Sequence, residues 1–243
     1  MLTEEELVRY SRQIPVLGRE GQEKLRKSTI LIAGVGGLGS ASSIYLTAAG
    51  VGRLILIDAQ EVELSNLNRQ ILHWTNDVGE PKVFSAKEKL KKLNPNVEID
   101  VYHDILSEEL ARRLVKEADV VIDALDNWEA RFILNKVCVE MNKPFIHAGV
   151  EGMYGQMLVV VPGKGPCLQC LIPRLPPSRG GIPVLGTTPG ILGLMQATEA
   201  IKIVTGVGEP AVGKLVIYDG CTMSFSEIKV KRRPSCPVCS KLS

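Results

Sequence analysis

The sequence lacks the features that direct a protein to a membrane, a nucleic acid or the outside of the cell. No apolar run approaches the roughly 18 residues that a membrane-spanning helix needs. The 29 basic and 27 acidic residues leave a formal net charge of +2, too small to indicate a nucleic acid or an anionic lipid surface as partner. The first residues are polar and acidic, without the apolar core of a signal peptide. We therefore expect a cytoplasmic protein that binds neither membranes nor nucleic acids.

No internal repeat or low-complexity tract divides the 243 residues, and apolar residues make up 45% of them, enough for a sizeable core. Apolar runs typical of strands alternate with helical patterns, which predicts an α/β fold with a Rossmann-like, mostly parallel sheet flanked by helices. Two late strand patterns predict an antiparallel extension. We interpret residues 1–243 as one domain, with amino-terminal helices at 1–27, a core at 28–150, a long loop at 162–189 and a tail at 232–243.

A glycine turn between two strand patterns is the strongest motif. It has the spacing G-x-G-x-x-G, follows the apolar run 29–33, and precedes a helix and a second apolar run that ends in an acid. Glycines let the backbone approach a phosphate closely, and the helix behind them presents free N–H groups. The acid can accept hydrogen bonds from ribose hydroxyls, so NAD and ATP both remain compatible. The candidate nucleotide-binding residues here are Gly34, Gly36, Gly37, Gly39 and Asp58.

A polar cluster follows the second strand and bears on which nucleotide fits. It lies beyond the carboxyl end of a parallel strand, where open α/β sheets bind ligands. Two cations, Arg69 and Lys82, suit a triphosphate, whereas hydride transfer to NAD has no need of them. The pattern alone leaves open that both cations are ordinary surface residues. The remaining candidates are Asn66 and Gln70 in the cluster, and Asp126 and Asn127 directly after the buried-strand pattern 119–125.

Four of the six cysteines form two C-x-x-C pairs, Cys167 with Cys170 and Cys236 with Cys239. Each pair has the spacing of half a four-thiolate zinc site, which would pin the tail to the loop after residue 161. Four thiolates close the coordination shell, so the predicted zinc is structural. A redox pair or two disulfides are the alternatives. Cys138 and Cys221 are interpreted as core thiols, because both lie within or beside apolar runs.

These segments together resemble the ThiF/MoeB/HesA family, the bacterial and archaeal relatives of ubiquitin-activating enzymes. The resemblance covers nearly the whole chain and is greatest to the MoeB-like molybdopterin-synthase adenylyltransferases. The ELSNLNRQ-type segment is specific to the family. The matching segments are RYSRQ at 9–13, GVGGLGS at 34–40, AAGVGRLILID at 48–58, VELSNLNRQILH at 62–73, GEPK at 79–82, DALDN at 123–127, LGLMQATEAIK at 192–202 and the two cysteine pairs.

The resemblance implies an enzyme that binds ATP with magnesium and activates a ubiquitin-like sulfur carrier protein ending in Gly-Gly. The carrier carboxylate would attack the α-phosphate, pyrophosphate would leave, and the acyl-adenylate would later accept sulfur as a thiocarboxylate, for molybdopterin or thiamine synthesis. An arginine at the position of Arg12 would enter the site of a neighbouring subunit, which implies a homodimer. The implied roles are phosphate binding for Arg69 and Lys82, magnesium for Asp126, ribose for Asp58, and orientation of the triphosphate for Asn66 and Gln70.

One position departs from the family pattern. Many members carry a cysteine in the crossover loop, where Arg179 stands here. We therefore expect adenylation without a thioester to this enzyme, with sulfur delivered by another protein. Three other interpretations remain open. The first is a relative that activates and dehydrates a carboxylate carried by tRNA. The second is an NAD-dependent oxidoreductase on a Rossmann scaffold, which Arg69 and Lys82 disfavour. The third is a zinc-stapled interaction protein that kept the fold without the activity.

Overall fold

The fold is built on one eight-stranded sheet. The computed structural model describes residues 2–177 and 181–240. The sheet order is β3-β2-β1-β4-β5-β6-β7-β8; the first five strands are parallel, and the last three pair antiparallel. The predicted fold class is therefore confirmed. The strands are β1 Thr29–Ala33, β2 Arg53–Ile57, β3 Glu98–Tyr102, β4 Val120–Asp123, β5 Phe145–Glu151, β6 Tyr154–Val160, β7 Lys214–Asp219 and β8 Ser224–Lys229.

Helices cover both faces of the sheet. One apolar core joins the sheet to α2, α3, α4 and α8, and a second joins the opposite face to α5, α6 and the segments that carry the paired cysteines. No helix in residues 2–177 and 181–240 is both long and apolar enough to cross a bilayer. The helices are α1 Glu4–Arg9, α2 Ile14–Lys27, α3 Gly37–Ala49, α4 Lys82–Leu93, α5 Glu108–Glu117, α6 Trp128–Glu140, α7 Leu168–Leu171 and α8 Thr187–Thr205.

Local sequence signals explain most helix ends. The Ser107 hydroxyl accepts a hydrogen bond from the Leu110 N–H at the start of α5. This is the capping role that a serine directly before a helix predicts. The amino-terminal pattern predicts one helix from Thr3 to about Gln13, yet α1 ends at Arg9 and α2 starts at Ile14. A proline in the first turn of α2 favours this new start, because its missing N–H has no helical partner there.

The segment 162–189 is less irregular than its proline and glycine content predicts. It contains the single turn α7, and α8 begins at Thr187. Pro189 lies in the first turn of α8, where a missing N–H interrupts no helical hydrogen bond. The edge strand β8 belongs to the predicted antiparallel extension and is exposed at all six of its residues.

Candidate active site

The predicted nucleotide-binding residues gather at the carboxyl edge of the parallel strands. Gly34 follows β1, Asp58 follows β2 and Asp126 lies three residues beyond β4. The sheet order places β1 between β2 and β4, so these three positions are neighbours. The chain leaves β1 towards β2 on one side and returns through β4 on the other. This reversal is the point at which open α/β sheets bind ligands.

The glycine turn is too crowded for larger residues. Gly34 has φ +93°, in the left-handed region, and a Cβ there would collide with the carbonyl oxygen of Ala124. A Cβ on Gly39 would collide with the carbonyl oxygen of Gly34. The turn therefore packs directly on the end of β4. This packing brings the amino terminus of α3 next to the DALDN segment.

Asp58 fastens the glycine turn to β2. Its Oδ2 accepts a hydrogen bond of 2.7 Å from the Val35 N–H, and its Oδ1 accepts one of 2.8 Å from the Gln60 N–H. Each carboxylate oxygen accepts a single bond here and keeps a lone pair for another donor. Asp58 can therefore hold the turn and still bind a ribose hydroxyl.

Lys82 is a buried cation beside this turn. Its side chain is about as inaccessible as a core residue, with 2% of the residue exposed, which excludes the surface interpretation. Its Nζ donates a hydrogen bond of 2.7 Å to Gln60 Oε1. Burial lowers the pKa of Lys82 below its usual value, and the nearby charges of Asp58 and Asp126 oppose this shift without cancelling it. The side chain is thus a desolvated positive charge near two acids, and a phosphate bound beside it would further stabilise its charged form.

Arg69 stands on the exposed side of the same site. Its Nη1 donates to the Ser65 carbonyl at 2.9 Å and to Asn68 Oδ1 at 3.3 Å. In the part of the chain that the structure describes, its Nη2 and Nε donate to no protein group. Its charge also lowers the pKa of Lys82, which places the two cations close to each other. The amino end of α8 packs on the same segment, because a Cβ on Gly186 would collide with the Asn68 carbonyl.

Gln70 and Asn66 differ in their freedom to bind a ligand. Gln70 is buried next to Gly36, and its Oε1 has no hydrogen-bond partner among the described residues. A buried amide oxygen without a donor is costly, which fits a ligand or water at this point. Asn66, in contrast, uses its side chain within the single turn Leu64–Asn66: its Oδ1 accepts from the Glu63 N–H at 3.1 Å. The predicted role of Asn66 stays a prediction.

Asp126 and Asn127 also differ. Asn127 caps α6, because its Oδ1 accepts a hydrogen bond of 2.9 Å from the Ala130 N–H. Asp126 is exposed, and in residues 2–177 and 181–240 its carboxylate forms no hydrogen bond or ion pair. A free carboxylate at this edge is an oxygen ligand of the kind that magnesium binds.

A buried clamp fixes the residue before Asp126. The Leu125 N–H donates to Asp123 Oδ1 at 3.1 Å, and Arg131 Nη2 donates to the Leu125 carbonyl. Asp123 Oδ2 is 2.6 Å from His147 Nδ1, and burial lowers the pKa of His147. Sequence reasoning missed Arg131 and His147. Their only signal is the register that pairs Asp123 with His147 across β4 and β5.

Arg12 does not reach the site of its own chain. It is exposed in the turn between α1 and α2, beside the carboxyl end of α3, since Gln13 Nε2 donates to the Ala49 carbonyl. The glycine turn lies at the other end of this 13-residue helix, roughly 20 Å away at 1.5 Å per residue. Arg12 forms no hydrogen bond or ion pair with any residue that the structure describes.

The paired cysteines meet as predicted. Their four Sγ atoms lie within 4.8 Å of one another, and all four residues are buried. None of them is in a disulfide, so that alternative is wrong. Burial opposes ionisation of Cys236, but backbone N–H groups of the tail donate towards its sulfur and lower its pKa to about 7. Four sulfurs at this spacing can hold zinc. They are Cys167, Cys170, Cys236 and Cys239.

The two cysteines outside the cluster differ in their burial. Cys138 is buried in the core as predicted, and burial raises its pKa far above the usual range. Cys221 is exposed, which corrects its interpretation as a core thiol. It lies two residues beyond the end of β7, in the turn to β8, where the apolar run before it has ended. Arg179, at the family's cysteine position, lies outside the described residues.

Known proteins of similar sequence and structure bear on these features. The ThiF family pattern matches residues 10–238. The sulfur carrier protein adenylyltransferase of Thermus thermophilus is 41% identical over 98% of this chain and 92% of its own length. The heterocyst HesA protein of Trichormus variabilis is also 41% identical, over 98% of this chain and 90% of its own. The adenylyltransferase and sulfurtransferase MOCS3 of Drosophila sechellia is 42% identical, and this chain covers 54% of it. Escherichia coli MccB, crystallised with ATP, has a TM-score of 0.82 at 28% identity, over 95% of this chain and 74% of that chain.

Proposed function

Because this chain belongs to the ThiF family and is an adenylyltransferase, we propose that it adenylates the C-terminal Gly-Gly carboxylate of a ubiquitin-like sulfur carrier protein. One observation carries the proposal: the cation Lys82 is buried at the candidate site, close enough to Asp58 and Asp126 for their charges to act on it. A buried charge is costly unless anionic or hydrogen-bonding partners offset its desolvation, and a bound phosphate would be such a partner. The name of the Thermus relative, a sulfur carrier protein adenylyltransferase, supports a sulfur carrier as substrate.

The proposed reaction joins two anions, so charge neutralisation and alignment matter more than proton transfer. The carrier carboxylate attacks the α-phosphate of ATP, the bond to the β-phosphate breaks, and pyrophosphate leaves. Lys82 and Arg69 bind the phosphates, and Asp58 binds the ribose hydroxyls. Asp126 would hold magnesium, which offsets negative charge on the leaving pyrophosphate. The clamp on Leu125 fixes the backbone from which Asp126 projects.

We propose a homodimer with composite sites. Arg12 lies roughly 20 Å from its own glycine turn along α3 and has no partner among the described residues. A cation there can serve a nucleotide only if it belongs to another subunit. The carboxylate or phosphates of the neighbouring site would give it an anionic partner.

We further propose that the enzyme adenylates without forming a thioester and that zinc in the cysteine cluster is structural. Cys138 is buried, and four more cysteines belong to the cluster, so none of these five is available to form a thioester. Cys221 is the exposed cysteine that is left among the described residues. Free thiols of this kind persist in a reducing compartment, which supports a cytoplasmic location. A non-reducing gel after incubation with ATP and carrier tests the absence of a thioester. A thiol-sensitive adduct that disappears in Cys221→Ser would contradict it.

The decisive experiment is carrier-dependent exchange of pyrophosphate into ATP. A panel of carriers with intact Gly-Gly tails is compared with the same carriers lacking the last glycine. We expect exchange with at least one intact carrier, none with its shortened form, and dependence on magnesium. Exchange that requires a carboxylate-bearing tRNA, and ignores every carrier, would refute the carrier as substrate and favour the tRNA-modifying relative.

A further inference from the structure

A buried chain of hydrogen bonds runs from an ion pair to the glycine turn. Lys89 Nζ is 2.6 Å from Asp77 Oδ2 and 2.9 Å from Ser85 Oγ. Ser85 Oγ is 2.9 Å from His73 Nδ1, and His73 Nε2 is 2.9 Å from the Val35 carbonyl oxygen. All of the side chains in this relay are buried. None of the predicted roles involves this relay, although His73 is the last residue of the matching segment 62–73.

The chemistry of each group fixes every proton in the relay. The Val35 carbonyl can only accept, so His73 Nε2 carries the hydrogen. In a neutral imidazole Nδ1 is then an acceptor, and the Ser85 hydroxyl donates to it. Lys89 supplies three donors, and three acceptors surround it: Asp77 Oδ2, Ser85 Oγ and the Ser85 carbonyl at 3.2 Å. Every donor in the relay therefore has an acceptor, and His73 has a single allowed tautomer.

The relay and Asp58 hold Val35 from both sides. The Val35 N–H donates to Asp58, and its carbonyl accepts from His73. In a trans peptide the C=O and the next N–H point in opposite directions. The bond to His73 therefore turns the Gly36 N–H away from His73. Neither the Gly36 nor the Gly37 N–H donates to a residue that the structure describes, so both are available to a ligand at the start of α3.

We infer that His73, supported by Ser85 and Lys89, is a positioning residue that orients the peptide N–H groups of the glycine turn towards the nucleotide. The inference deepens the proposed function, and it rests on that function only for the presence of a nucleotide at this turn. Uncharged His73 is the working form. The charged groups that face its ring are Lys82 and Lys89 from α4 and Asp77 from the single turn Thr75–Asp77. Burial and the two lysines lower the pKa of His73, so an imidazolium is disfavoured.

Two substitutions separate a hydrogen-bond role from a packing role. In His73→Gln the side-chain amide can still donate to Val35, but it does not titrate. In His73→Leu the volume stays and the donor is lost. Affinity for a non-hydrolysable ATP analogue is measured by calorimetry from pH 5.5 to 8, with the melting temperature of each variant as the check on folding. A carrier protein is not needed for this measurement.

We expect His73→Leu to bind the analogue about tenfold more weakly at pH 7.5, the worth of one buried hydrogen bond. His73→Gln should stay within about threefold of the wild type, since it retains the donor. Because burial and the two lysines lower the pKa of His73, the wild type should lose no more affinity between pH 8 and pH 6.5 than His73→Gln, which does not titrate. Equal affinities of the wild type and His73→Leu would overturn the inference, as would equal losses in both variants.

Two further outcomes keep the test decisive. If His73→Leu fails to fold, Ser85→Ala replaces it. This variant frees Nδ1 to carry the proton and should weaken analogue binding; unchanged affinity and an unchanged pH profile would overturn the inference. If the wild type itself binds no analogue, the nucleotide site is absent, and the proposed function is refuted together with the inference.

Discussion

Loss of metal from the cysteine cluster should destabilise the fold through its tail. Cys167 and Cys236 are 69 residues apart in the chain, and zinc would close this interval into a loop. The cluster is also continuous with the apolar core on one face of the sheet. Chelation at neutral pH, or Cys236→Ser, removes the cross-link while the rest of the sequence is unchanged.

The size of the effect follows from loop closure. A cross-link across about 70 residues stabilises a fold by about 4 kcal/mol in the chain-entropy model. A protein of this length loses about 2–4 °C of melting temperature for each kcal/mol. We therefore expect the melting temperature to fall by about 10 °C.

The assay combines a thermal melt with a measurement of metal content. The purified protein should hold one zinc per chain, and Cys236→Ser should hold much less. Cys221→Ser is the matched control, because Cys221 is exposed and lies outside the cluster. Its melting temperature should stay within about 2 °C of the wild type, as for most surface substitutions. A metal-free protein that melts at the same temperature before and after chelation would refute the reasoning.

The remaining predictions concern the site and its pH dependence. Lys82→Met should reduce carrier-dependent pyrophosphate exchange at least about a hundredfold with an unchanged circular dichroism spectrum; a loss below tenfold would remove Lys82 from the site. Asp126→Asn should lose a similar factor, which added magnesium does not restore. Burial lowers the pKa of His147 below 6.5, so its contribution to stability is complete above pH 6.5 and is lost as the pH falls through the folded-state pKa. His147→Gln should therefore flatten the acid decline in unfolding free energy; an identical slope would contradict this.

Much of the fold is predictable because its signals are local. The run 29–33 is apolar and bounded by glycine, and β1 has these bounds. The caps Ser107 and Thr3 hold the helix starts that their positions predict. The start of α8 was harder to place. Pro189 and neighbouring glycines look like loop residues in the sequence, and only packing on the Arg69 segment shows that they begin a helix.

The candidate site was predictable where strand order alone assembles it. Gly34, Asp58 and Asp126 follow neighbouring parallel strands, so alternation of strands and helices suffices to bring them together. Arg131 and His147 were not predictable, because their partners depend on register and on a helix packed across the sheet. Neither residue stands in a short motif with a known spacing. Cys221 was misplaced for a related reason, since an apolar neighbourhood in sequence does not fix which side of a turn a thiol occupies.

The position of α8 has a consequence for the order in which the protein folds. Its amino end rests on the Arg69 segment, Gly193 packs on the Leu38 carbonyl in α3, and Gln196 donates to the Asp123 and Ile146 carbonyls. All of these partners precede α8 by many residues, so the helix forms contacts of high sequence separation. On the ribosome, residues 28–150 emerge well before α8. The candidate site is therefore completed only after α8 has packed on the Arg69 segment.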